Sequence, residues 1–346
     1  MSKPTQKTTT PQGGNQMKPS FVSPLLEKIA RQMGVTIHIE PRYRYVGQIA
    51  RPDGMKRYFR STNFDLNTLG ASEIARDKAY AYYFMKLMGY PIPTGEAFFT
   101  NRWCSIIHSR RNQEMAYRYA RRLGFPVIIK PNGKSQGWGV CKAYNKKEFT
   151  QAIRALSERE NIFLVQKVAP GLDYRIVVLD GEIISAYQRL PLSIIGDGRK
   201  TILELLRLKQ RQFQQADRDT VIQLDDFRIA NQLKRAGLSF NSVLLPNSRE
   251  ELLPNANLST GGDALDVTET LHPDWQNLAI RLTRDMGLRY CGVDVMTEET
   301  LAESPNSYVI LEVNAAPGLD HYASSGADQR HIVEKMYRKI LEAMLR

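Results

Sequence analysis

The sequence predicts an α+β protein that opens on a short β-rich N-terminal region. Three observations support this. Strand-like runs follow one another across tight turns, with Asp53-Gly54 and Asp180-Gly181 between them, a pattern that makes antiparallel hairpins. Amphipathic helical stretches separate these pairs into groups. Two late apolar strands carry acidic residues on a single face. At 346 residues and 42% hydrophobic, the chain can form two or three packed units.

Residues 1–20 hold Thr, Gln, Gly, Pro and Lys without an aromatic, too little apolar surface to offset ordering entropy, and are expected to be a disordered tail. Phe21 to Met33 reads as an amphipathic helix. Val35–Ile39, Tyr45–Ile49 and Arg57–Phe59 read as strands, the last two joined at Asp53-Gly54. A helix is expected from Ser72, as its cap, to Met88, stopped by Gly89. A helix (Asn112–Leu123), a strand (Phe125–Lys130), a glycine-rich turn, a strand (Val140–Tyr144), a helix (Lys146–Arg159) and a strand (Phe163–Gln166) come next. Asn145 and Glu148 form a candidate capping box for the second of these helices. Strands at Tyr174–Leu179 and Ile183–Gln188 flank Asp180-Gly181. Helices at Thr201–Gln215 and Ile222–Gly237, a polar loop (Pro254–Asp263), a helix (Asp274–Met286), strands at Tyr290–Met296 and Tyr308–Asn314, and a helix from Arg330 to Leu345 complete the order.

No window holds the roughly 20 apolar residues a membrane span needs, and Met1 to Gln16 lacks the apolar stretch of a secretory signal, so the expected location is cytoplasmic. Three dispersed cysteines, Cys104, Cys141 and Cys291, argue against a disulfide framework or a paired-cysteine metal site. The net charge of +12 is uneven: residues 21–165 hold 24 Lys and Arg against 11 Asp and Glu, and residues 166–346 hold 21 against 25. An anion-binding half and a cation-binding half would explain this, as would ordinary drift of surface charge.

The tripeptide Gly133-Lys134-Ser135 suggests a P-loop, but that motif needs a glycine five residues earlier, where Ile128 stands, and a helix immediately after. A strand follows instead. Glycines 133, 137 and 139 would let backbone amides approach phosphate oxygens, although such hairpins also occur without a ligand. Lys130 ends an apolar strand, where a phosphate or simple solvation would explain it. Alternation along Tyr290–Met296 and Tyr308–Asn314 sets Asp294, Glu312 and Asn314 on the faces opposite the apolar residues. Oxygen-only groups of this kind suit a hard cation such as magnesium, or an ordinary salt bridge on an exposed face.

From about Ser72 onward the chain resembles the ATP-grasp superfamily of ATP-dependent carboxylate-amine ligases, in particular the ATP-grasp domains of cyanophycin synthetases and bifunctional glutathione-synthesising enzymes. The matching segments, in order, are "ARDKAYAYYFMKLMGYPIPTG", "VIIKPNGKSQGWGV", "VQKVAPGLDYRIVV", "ISAYQRLPLSIIGDGRKTILELL", "NANLSTGGDALDVT", "CGVDVM" and "ILEVNAAPGL". The resemblance implies an ATP-grasp fold in which two α+β subdomains clasp ATP. It implies a lid at residues 101–165, a metal-bearing C-terminal subdomain at 166–346, and an atypical substrate-side region at 21–100.

Position by position, it implies that Lys78 and Lys130 reach the nucleotide phosphates and that a flap containing Lys134, Ser135, Gly137 and Gly139 covers them. Gln166, Lys167 and Val168 match the hinge at the adenine, with Asp173 near the ribose. Asp294, Glu312 and Asn314 match the magnesium ligands. Arg175 and Arg189, with Lys130, match catalytic cations beside the transferred phosphate. Asn257, Ser259, Gly261, Gly262, Pro317 and Gly318 match loops near the acyl substrate. ATP and Mg2+ are the implied cofactors. The implied reaction is amide or peptide bond formation through an acyl phosphate, releasing ADP and phosphate.

Four departures stand out. Gln166 replaces a hinge glutamate, Leu252-Leu253-Pro254-Asn255 lacks the arginine that precedes the "NLSTGG" loop in relatives, "DHYASSG" lacks a proline-bearing turn, and the first 70 residues lack a βαβ pattern. A non-catalytic ATP-binding regulatory or scaffold module is the alternative that the missing arginine and the unusual N-terminus favour. The expected partners are small-molecule or peptide carboxylates and amines, with a homodimer left open. No membrane partner is expected, and no nucleic-acid-binding module or aromatic stacking pattern accompanies the basic half.

Overall fold

The computed structural model describes residues 21–134, 137–216, 218, 220–323 and 327–346. The expected tail and Ser135 lie outside the described residues. The N-terminal region is α1 (Val22–Met33) followed by an antiparallel meander of β1 (Thr36–Ile39), β2 (Val46–Ala50), β3 (Lys56–Arg60) and β4 (Asn63–Phe64). Gly34 ends α1 at φ 68°, a conformation glycine adopts without strain. Ile49, Phe59 and Phe64 join Leu26 and Ile29 of α1 in a core shared with Tyr337, Ile340 and Leu341 near the C-terminus.

The helix expected from Ser72 to Met88 is two helices, α2 (Leu69–Arg76) and α3 (Lys78–Leu87). Ser72 is not its cap; it lies within α2 and donates to the Thr68 carbonyl. Asp77 breaks the run with an extended ψ of 104° and caps α3 by accepting the Tyr80 N–H. The buried Asn132 amide holds the break, donating to Asp77 and accepting the Ala79 N–H. The break therefore sets Lys78 at the first position of α3.

The next unit comprises β5 (Gly95–Phe99), α4 (Asn101–Ile107), α5 (Gln113–Leu123), β6 (Val127–Pro131), β7 (Cys141–Ala143), α6 (Lys146–Ser157) and β8 (Ile162–Lys167). Its sheet runs β5-β8-β6-β7, all antiparallel. β5 and α4 are additions to the elements read from sequence. One face buries Val127, Ile129, Phe163 and Val165 under α5 and α6, and the other presents Ile128, Lys130 and Gln166 to a cleft.

The C-terminal unit contains β9 (Leu172–Leu179), β10 (Glu182–Leu190), β11 (Ser193–Ile195), α7 (Ile202–Gln215), α8 (Phe227–Arg235), β12 (Arg249–Glu251), β13 (Asp263–Asp266), α9 (Pro273–Asp285), β14 (Tyr290–Thr297), β15 (Tyr308–Asn314), α10 (Asp320–Ala323) and α11 (Ala327–Met344). Helix α8 is shorter than expected because Asp226 caps it, accepting the Arg228 N–H. The expected polar loop carries a 3-10 turn at Leu258–Thr260. The main sheet runs β13-β10-β9-β14-β15. Tyr174, Ile176, Val178, Val293 and Val295 pack on Trp275, Leu278 and Leu282 of α9. On the opposite face β9 changes character along its length: Val177 and Leu179 join the core shared with α11, whereas Asp173 and Arg175 reach the cleft end. Among the described residues, no helix is long and apolar enough to cross a membrane.

Candidate active site

Strand register gathers the charges. Asp294 on β14 lies opposite Arg175 of β9 on one side and Glu312 of β15 on the other, and Asp173 lies opposite Arg189 of β10. Period-two alternation then puts all five on one face. Arg175 forks Asp294 through Nε at 2.6 Å and Nη2 at 2.7 Å, and Arg189 reaches the same carboxylate at 3.0 Å. Arg189 also donates to Asp173 Oδ1, at 2.9 Å from Nε and 2.6 Å from Nη2. Asp294 is only 1% exposed, so this pairing offsets a desolvation that an isolated carboxylate could not bear.

Lys78 and Lys130 complete the cluster from the other wall. Lys78 Nζ lies 3.3 Å from Glu312 Oε2 and donates to the Lys134 carbonyl at 2.7 Å. Lys130 Nζ donates to the Tyr82 hydroxyl at 2.8 Å, and that hydroxyl donates to the Leu311 carbonyl. Asn314 Nδ2 donates to Glu312 Oε1 at 3.1 Å. Burial alone would raise the Glu312 pKa, but Lys78, Lys130 and Arg175 outweigh it and hold this carboxyl well below the usual range. Asp173 is pushed the other way, up to about 6, by burial, with Arg189 opposing and Asp294 assisting. Burial lifts the Cys141 and Cys291 thiols to about 12 each, which removes them as nucleophiles at neutral pH.

A cleft of about 590 Å³ runs from this cluster between the two sheets. Ile128, Val140, Met296 and Leu311 supply apolar wall, the end of β8 with Val168 after it lines one side, and Lys78, Lys130, Asp173, Arg189, Asp294 and Glu312 form the charged end. Gly95, opposite Gln166 in register, leaves room for that side chain, since a Cβ there would come within 2.4 Å of Gln166 Cγ. The buried Gln166 Nε2 and Asn255 Oδ1 have no hydrogen-bond partner among the described residues, and both residues line the cleft.

The remaining expected residues fall into three places. Lys134 and Gly137 line the cleft, although Lys134 Nζ is tied to Glu160 at 2.9 Å; Gly139 instead packs on Leu156. Asn257 lines it too, while Gly262 stands behind and donates to the Asn257 carbonyl, and Ser259 donates to the Asn257 side chain at 3.3 Å. Gly261, at φ 102°, packs on Leu192. Pro317 and Gly318 follow β15, with the Pro317 carbonyl accepting from the buried Tyr290 hydroxyl.

Three contributors escaped the sequence reading. Tyr82 stands four residues after Lys78, one helical turn on the same face, a spacing that could have flagged it. Arg218 supplies a guanidinium to the loop whose neighbouring arginine is missing, donating to the Leu258 carbonyl at 2.7 Å and to that of Gly262. Arg228 reaches the Gly137 and Val140 carbonyls from α8. No local pattern marks either arginine.

Comparison with known proteins agrees with this architecture. Residues 102–204 and 249–339 match the RimK-like ATP-grasp domain. Cyanophycin synthetase of Trichormus variabilis is 32% identical over 299 residues, covering 84% of this chain and 31% of that protein. The glutathione biosynthesis bifunctional protein GshAB of Streptococcus mutans is 28% identical over 243 residues, 67% of this chain and 30% of that protein. The chain thus spans about a third of the length of these curated relatives. The crystal structure of a bifunctional glutathione synthetase from Pasteurella multocida shares the fold, with a TM-score of 0.57 and 22% identity over 91% of this chain and 44% of that one.

Proposed function

The chain belongs to the RimK-like ATP-grasp family, and from that premise we propose that it is an ATP-dependent carboxylate-amine ligase acting on an amino acid or short peptide. The observation that carries the reading is the convergence of Lys78, Lys130 and Arg189 at one end of the cleft, with Arg175 paired to Asp294 beside them, while Ile128, Val140, Met296 and Leu311 give the cleft its apolar wall. Four cations against the three carboxylates Asp173, Asp294 and Glu312 favour an anionic ligand, and a phosphate chain fits. The apolar wall and Gln166 Nε2, which has no partner among the described residues, fit a heteroaromatic base at the other end.

In the proposed reaction, a substrate carboxylate oxygen bonds to the γ-phosphorus of ATP as ADP leaves with the electron pair. The amine nitrogen then bonds to the acyl carbon, and phosphate leaves carrying that oxygen. Lys130 and the arginines stabilise charge on the transferred group, and Lys78 orients the phosphates, so catalysis rests on positioning and electrostatics. The lid expected at residues 101–165 would take in β5 as well, since Gly95–Phe99 pairs with β8 in the same sheet; 166–346 would be the metal-bearing subdomain and the residues before β5 the substrate side. The buried free thiols suit a cytoplasmic setting.

Asp294, Glu312 and Asn314 would hold magnesium, which supplies further neutralisation of the phosphates. Their oxygen-only chemistry fits.

The test is amine-dependent ADP release across pools of amino acids and short peptides, with Glu312→Ala as the inactive control. ATP binding without release in any pool would leave the chain a nucleotide-binding module. Gly137 offers a second check. It sits at φ 67°, and a Cβ there would come within 2.5 Å of Asn255 Nδ2. Alanine at this position is expected to weaken ATP affinity about tenfold, the cost of a left-handed non-glycine residue, as measured by titration calorimetry.

A further inference from the structure

Residues 205–248 fall between the two stretches that match the RimK-like domain, yet they hold the flap. The Asp226 carboxylate caps α8 by accepting the Arg228 N–H at 2.9 Å and also grips that residue's guanidinium, at 2.9 and 3.0 Å from Nε and 2.6 Å from Nη2. Both side chains are largely buried. This grip commits Nε and Nη2 and leaves Nη1 aimed at the flap, where it donates to the Val140 carbonyl at 2.7 Å and the Gly137 carbonyl at 3.3 Å. Those carbonyls bound the flap limb that turns back into β7, and the Gly137 oxygen also accepts the Val140 N–H. On its inner side the limb rests on Asn255 and Asn257, both in the cleft wall.

The rest of α8 engages the same unit. Phe227 packs against the core beneath the flap sheet, Asn231 donates to Gln151, and Arg235 forks Glu148 at 3.0 and 3.1 Å while covering the Tyr144 ring at 4.1 Å. Gln232 reaches the cleft wall itself. A helix tied at three points to the flap-bearing unit, with a preorganised guanidinium on two flap carbonyls, fixes where that limb stands over the phosphate end of the cleft.

We propose that Arg228 is a positioning residue: held by Asp226, it anchors Gly137–Val140 over the cleft, so that the 205–248 segment determines how well water is kept from the acyl phosphate. The site concerned rests on the ligase reading; the anchor itself does not, which separates the two tests.

Hydrogen-deuterium exchange of the full chain without nucleotide reads the anchor directly. In Arg228→Ala, exchange at the amides of 137–143 should rise about 10- to 100-fold, the range for loss of a charge-assisted hydrogen bond, while strands β6 and β8 exchange as in the parent. Asp226→Asn keeps a good helix cap but loosens the guanidinium, and should give a smaller rise at the same amides. It also decides the matter if Arg228→Ala does not fold. In the presence of ATP and a productive substrate pool, Arg228→Ala should raise phosphate release per amide formed about tenfold, with Arg228→Lys between it and the parent. Flap exchange unchanged in both variants overturns the proposal. A flap response without amide formation in any pool overturns the ligase reading instead and leaves the anchor standing.

Discussion

Alanine in place of Asp294 is expected to destabilise the protein by about 3–5 kcal/mol, the cost of leaving buried charges without their partner. Two guanidiniums depend on this carboxylate. Arg175 forks it at 2.6 and 2.7 Å and Arg189 meets it at 3.0 Å, within a sheet whose other face is closed by α9. Arg189 keeps Asp173, but among the described residues Arg175 keeps a 3.9 Å approach to Glu312 as its remaining ion pair. Urea unfolding should show a lowered midpoint with an unchanged slope. Asparagine preserves shape and one acceptor oxygen while losing the charge, so it should fall between. A midpoint for Asp294→Ala within 0.5 kcal/mol of the parent would show that water reaches the cluster and that the pairing is not what sustains it.

Methionine in place of Lys130 should lower kcat for amide formation by about 10²–10³-fold with little effect on stability. Lys130 is 7% exposed, near the end of β6, and its ammonium donates to Tyr82, whose hydroxyl is anchored on Leu311. Methionine keeps the unbranched stem in the wall and removes the charge. Its loss should appear in kcat because the charge is needed most as the phosphoryl group moves. A rise confined to KM for ATP would assign Lys130 to ground-state binding alone.

Much of this site was legible in the sequence because it is built on strands. Alternation in Tyr290–Met296 already separates Asp294 from Val293 and Val295, and the register places Asp294 beside Glu312; in Tyr308–Asn314 the expected alternation fails at a bulge, which turns Leu311 to the cleft and Ile310 to the core. Lys130 was visible for the same reason, a cation closing an apolar run. What alternation could not supply was the guanidinium fork, since Arg175 and Asp294 are 119 residues apart and meet only through the pairing of β9 with β14.

The misread elements share a physical cause. Residues 72–88 are good helix formers on both sides of Asp77, and the break is held by Asn132, 55 residues away. Gly95–Phe99 pairs with β8, and its leading glycine is explained only by the Gln166 side chain opposite. Arg218 and Arg228 lie on a segment whose local signals describe helices and loops, while their role comes from carbonyls 40 and 88 residues distant. Tertiary partners, not propensity, decide each of these.

The most direct measurement follows an oxygen atom. Amino acids and short peptides labelled with 18O in their carboxylates are incubated with the protein, MgATP and an amine pool, and the released phosphate is weighed by mass spectrometry. A ligase working through an acyl phosphate moves one carboxylate oxygen into phosphate for each amide formed, with ADP as the nucleotide product. Amide formed with unlabelled phosphate, release of AMP in place of ADP, or bound ATP that no pool turns over would contradict it.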